Sequence, residues 1–144
     1  NGNRFQGRVP RLKHGAVVTA VWAGSRRYFP GRAWMFAPVK PRLTLTALTA
    51  TQAKTRLRID ITPAQTSYGT GKVMPTTLAD VQCLLDGEWM WFPGELGVMS
   101  TDGESWCVYD YFQVPAGTYT VRARFSGTTY NAASTSKPIE VVVP

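Results

Sequence analysis

The chain has 144 residues with 44% hydrophobic side chains, about one domain's worth, which can bury roughly two thirds of its unfolded surface with no metal or disulfide set required. It contains no run of 18 or more apolar residues and no charged-then-apolar secretion signal, so no membrane span is expected. Its net charge of +7 is unevenly placed: residues 1–42 carry Arg4, Arg8, Arg11, Lys13, Arg26, Arg27, Arg32, Lys40 and Arg42 with no acid, while residues 43–144 carry seven cations and all nine acids. The split of +9 and −2 points to two parts with different partners. A start at Asn1 rather than Met fits a processed mature protein or a piece of a longer one.

Residues 1–14 (NGNRFQGRVPRLKH) mix Gly, Pro and basic residues without a usable period and read as an extended arm. Gly15 to Gly24 (GAVVTAVWAG) is β-branched and apolar, which suits a strand buried on both faces or one added to another sheet. SRRYFPG supplies a turn, and Ala33 to Ala37 forms a second apolar run before Pro38 and Pro41. Residues 1–40 therefore read as a basic arm and a β-hairpin. A lone hairpin is marginal in water, so this one should pack on the domain that follows or on a neighbouring subunit.

Alternation becomes regular from residue 41 onward. Leu43, Leu45 and Ala47 alternate with threonines; Leu57, Ile59 and Ile61 alternate with Arg56, Arg58 and Asp60. Residues 64–77 read as a loop. Ala79 to Leu85 ends at the hairpin signal Asp86-Gly87 and is followed by Glu88 to Phe92. Trp106 to Phe112 is an aromatic-rich strand. Tyr119, Val121, Ala123 and Phe125 alternate with Arg122 and Arg124, and Ile139, Val141 and Val143 alternate again. That makes about seven strands and an all-β antiparallel β-sandwich over residues 41–144.

Val114 to Val121 (VPAGTYTV), then Phe125-Ser126-Gly127, Tyr130 to Ser136 and the closing valine-rich strand together resemble the end of bacterial immunoglobulin-like (Ig-like) repeat domains. The resemblance covers residues 41–144. It implies an Ig-like sandwich that serves as a spacer or binding module in surface proteins, adhesins or virions. The basic leader and the load of Trp and Cys depart from that pattern. Tyr119, two residues after Gly117, reads either as a tyrosine corner or as an ordinary core aromatic.

Cys83 and Cys107 fall on strands expected to face each other; a disulfide would close a loop of about 24 residues and contribute on the order of 3 kcal/mol. Buried thiols are the alternative, because the inward parity of the strand holding Cys83 is open. Catalytic chemistry finds little footing. His14 is the sole histidine, no phosphate-binding glycine loop or zinc spacing occurs, and Asp86, Glu88, Asp102 and Glu104 flank turn glycines where polar residues are expected. No catalytic residue, metal or cofactor is expected.

Trp89, Trp91 and Phe92 are candidate exposed aromatics for a sugar ring, a base or a partner's apolar surface, with a structural cap as the alternative. In the leader, Arg4, Arg8, Arg11, Lys13, Val17, Val21, Trp22, Arg26, Arg27, Tyr28 and Trp34 are candidate partner-binding residues. The reading favoured is a non-catalytic assembly module of an extracellular surface structure or virion, joined to other protein subunits by its leader. A polysaccharide- or envelope-polymer-binding adhesin module and a nucleic-acid-contacting virion protein are the alternatives.

Overall fold

A computed structural model describes residues 16–27, 29–62, 79–101, 105–127 and 131–144, and no helix occurs among them. The strands are β1 (Ala16–Trp22), β2 (Gly31–Ala37), β3 (Arg42–Ala50), β4 (Thr55–Thr62), β5 (Ala79–Leu85), β6 (Glu88–Trp91), β7 (Glu95–Thr101), β8 (Trp106–Phe112), β9 (Gly117–Phe125), β10 (Ser134–Thr135) and β11 (Ile139–Val143). Among the described residues β1 and β2 pair only with each other. One sheet runs β3-β4-β8-β7; the other runs β6-β5-β9, with β10 and β11 both on the far side of β9. All pairings between these strands are antiparallel.

Period-two patterning turns one face of each sheet inward, since successive side chains of a strand point to opposite faces. In β4, Thr55, Leu57, Ile59 and Ile61 are buried while Arg56, Arg58 and Asp60 face outward. Leu45, Leu57, Ile59 and Tyr109 from the first sheet meet Val81, Val121, Phe125 and Val141 from the second in one core. The two sheets are also tied by polar groups: the buried Tyr109 hydroxyl donates to the Ala79 carbonyl, and the Ser134 hydroxyl donates to the Pro41 carbonyl. Each satisfies a carbonyl that burial would otherwise strand.

Among the described residues nine strands run from Arg42 onward rather than seven. The alternation search passes over β7 because Gly97 interrupts it and the register to β8 shifts between Leu96 and Val98. Gly97 has a packing reason: a Cβ there would lie 2.1 Å from Phe112 Cε2, so the ring occupies the space a side chain would need. β10 is two residues long, too short to show a period.

Parity in β5 is settled: Ala79, Val81 and Cys83 point inward and Gln82 lies on the other face. The expected disulfide is not formed. Cys83 and Cys107 are buried thiols on opposite sheets, and Cys83 donates to the Trp91 carbonyl at 3.2 Å. Both pack as small hydrophobes.

The hairpin also departs from one expectation, since β1 is not buried on both faces. Neither of its strands belongs to a sheet of the sandwich, and from Thr19 to Trp22 every side chain is exposed.

Candidate functional site

The hairpin surface follows from its register. Val18 lies opposite Met35, Ala20 opposite Ala33 and Trp22 opposite Gly31, so these side chains share one face; Thr19 with Trp34 and Val21 with Arg32 share the other. The first face is wholly apolar, and the second is apolar apart from Thr19 and Arg32. Despite that, Val21 is 70% exposed, Trp34 64% and Met35 63%. Phe29, Arg26 and Arg27 stand exposed at the turn. One side of the ribbon is apolar and the other mixes Val21 and Trp34 with Thr19 and Arg32, and a folded chain seldom leaves large apolar side chains contiguous and wet.

A second surface lies on the outward face of the β6-β5-β9 sheet. Register places Trp91 beside Gln82, Gln82 beside Arg122, and Trp89 beside Leu84. The Arg122 guanidinium lies over the Trp89 ring, 3.8 Å from its centroid, and its Nε and Nη2 donate to Gln82 Oε1 at 3.1 and 3.0 Å. Stacking and hydrogen bonds together hold the planar fork in one orientation. Burial, followed by the neighbouring Arg124, lowers the Arg122 pKa from its ordinary value. Trp91 is 70% exposed beside this group. Phe92 is no surface residue: it is buried, edge-on to Tyr111 at 4.9 Å and to Tyr119 at 5.4 Å. The chain leaves β6 there to cross between sheets, which turns Phe92 into the core.

Tyr119 donates its hydroxyl to the Pro115 carbonyl at 2.8 Å, the closing bond of a tyrosine corner beside Gly117. Arg4, Arg8, Arg11, Lys13 and Tyr28 lie outside the described residues, as do His14, Asp102, Glu104 and the expected loop at 64–77; β1 includes Val17. The structure brings Val21, Trp22, Arg26, Arg27 and Trp34 together on one hairpin, and Trp89 and Trp91 on one face of another. Gln82 and Arg122 went unnoticed as a pair. The outward parity of Arg122 is readable, but its partner is 40 residues away and follows only from the register of β5 against β9.

Titratable groups elsewhere serve the fold. Asp110 accepts from Arg56 Nε and Nη2 at 2.6 and 2.7 Å and pairs with Lys54 Nζ at 3.0 Å. The Arg56 hydrogen bond, against the cost of desolvation, lowers its pKa to about 2. Burial drives the Tyr109 and Tyr111 hydroxyls and the Cys83 thiol upward, away from acid-base or nucleophilic work near neutral pH. Asp80 is raised by desolvation, with Arg124 opposing. Among the described residues no three His, Cys, Asp or Glu gather as metal ligands, and no helix is long and apolar enough to cross a membrane.

No protein-family model matches the chain, and no curated protein or solved structure matches it.

Proposed function

We propose that the chain is a non-catalytic assembly module of an extracellular surface structure or virion, joined to neighbouring subunits through its N-terminal segment. The observation that carries this reading is the β1–β2 hairpin, apolar on one face and with Val21 and Trp34 on the other, exposed, and paired with no described strand of the sandwich. Covering Val21, Trp34 and Met35 in a partner would contribute about 1.5–3 kcal/mol each, enough to turn a marginal ribbon into a stable joint. The sandwich is read as the Ig-like brick that carries it. Support comes from the strand order β3-β4-β8-β7 and β6-β5-β9-β11, which corresponds to the ABED and CFG sheets of that architecture with one added strand, and from the Tyr119 corner.

The test keeps the full chain and replaces Val21, Trp34 and Met35 by Ser, then measures particle mass by sedimentation. Loss of association with an unchanged melting transition of the sandwich is expected. Unchanged association would refute the joint.

A second reading, a module that binds polysaccharide or an envelope polymer, is favoured by exposed Trp91 beside the planar Arg122–Gln82 pair. An aromatic face next to fixed donors suits a sugar ring with an anionic group.

A further inference from the structure

Charge is segregated more sharply than the two-part split suggests. Residues 73–121 contain Asp80, Asp86, Glu88, Glu95, Asp102, Glu104 and Asp110 and not one Lys or Arg, the inverse of residues 1–42. The described part of this stretch builds one side of the sandwich. Among the described residues β6 and β7 are the edge strands of the two sheets on that side, each hydrogen-bonded along one flank, to β5 and to β8. Glu88 and Glu95 are exposed at their starts, and Met90, Trp91, Leu96 and Val98 are exposed along them. Between the two edges opens a cavity of about 420 Å³, walled by Phe92, Leu96, Met99, Tyr109 and Tyr111 with Asp80 at its border.

From this we infer that the hairpin of one copy docks on the β6–β7 side of a second copy. The inference rests on the hairpin being a joint and names what it joins. Complementarity holds in both apolar surface and charge. The hairpin offers Phe29, Trp34 and Met35 with Arg26, Arg27 and Arg32; the receiving side offers apolar edges, a cavity for a large side chain, and Asp86, Glu88 and Glu95. Open flanks on β6 and β7 also allow main-chain pairing with a hairpin strand, the strand-addition mode. The opposite open side of the sandwich is a worse match, since the groove between β3 and β10 is bordered by Lys40, Arg42 and Lys137 and would repel the hairpin's arginines. Because donor and acceptor are different surfaces of the same chain, the contact either repeats head to tail into a ring or filament or closes as a two-fold dimer in which each copy gives its hairpin to the other.

A charge swap in the full chain tests this, read by sedimentation across a concentration series. Arg26→Glu with Arg27→Glu, and separately Glu88→Lys with Glu95→Lys, should each weaken self-association about tenfold or more through like-charge contact. Both sets in one chain should restore it. If the hairpin set abolishes association while the Glu88 and Glu95 set does not change it, the joint stands and this docking surface is wrong. Wild-type protein that stays monomeric at every concentration overturns self-docking. Should neither set change the association and the Val21, Trp34 and Met35 replacements not change it either, the joint falls as well.

Discussion

Asp110 lies on the outward parity of β8, yet it is one of the few buried charged side chains, covered by Arg56 from β4 and Lys54 from the preceding turn. The sequence shows a lone acid in an aromatic-rich strand, but neither its burial nor its partners, 54 residues away along the chain for Arg56. The face of Arg122 can be read from the alternation of its strand, but the face of Gln82 and the pairing of the two across strands cannot. Because the native carboxyl titrates at about 2 and the unfolded one near its ordinary value of 3.8, the unfolded chain takes up this proton at higher pH. The brace is therefore fully present above about pH 4 and is lost as pH falls toward about 2. Its cations are 40% and 42% exposed, so its size is that of a solvent-screened pair. Asp110→Asn should lower the melting midpoint by about 2–4 °C at neutral pH, and the gap to wild type should close by about pH 2. A gap independent of pH would contradict this account.

Most of the sandwich strands announce themselves in the sequence. β4, β9 and β11 lie where apolar and polar side chains alternate, β8 shows as an aromatic-rich run, and β5 shows by the Asp86-Gly87 turn that ends it. Illegible parts are those whose geometry depends on a distant contact. β7 is broken by Gly97 under the Phe112 ring, and the crossing from β6 to β7 depends on Gly94, whose φ is 114°. A Cβ on Gly94 would lie 2.9 Å from the Phe112 carbonyl oxygen and 2.9 Å from Val114 Cγ2. Left-handed strain and a backbone atom that cannot swing aside act in the same direction, so Gly94→Ala should cost about 1–3 kcal/mol in urea unfolding. Unchanged stability would mean that the crossing is looser than its geometry implies. The choice between disulfide and buried thiols is illegible for a related reason: inward parity puts both Cys83 and Cys107 in the core, but sharing a core does not bring two sulfurs to bonding distance.

At the scale of the whole molecule the proposed function divides the chain into a brick and a joint. Composition marks the joint, because no acid occurs before Asp60, and the apolar runs mark a hairpin at Ala16–Trp22 and Gly31–Ala37. The sequence leaves open whether that hairpin covers its own domain or another chain. Exposure of Val21, Trp34 and Met35 makes the second the proposal, since the sandwich closes its own core without them. An isolated two-stranded ribbon is marginal in water, so its amides should exchange almost as fast as those of an unfolded chain until a partner covers it.

Hydrogen exchange of β1 and β2 amides, followed across protein concentration, tests this most directly. The account predicts little protection in the dilute monomer and strong protection once particles form, with β4, β5 and β9 protected throughout. Equal protection of the hairpin in a strict monomer would contradict it, because the cover would then come from within the same chain.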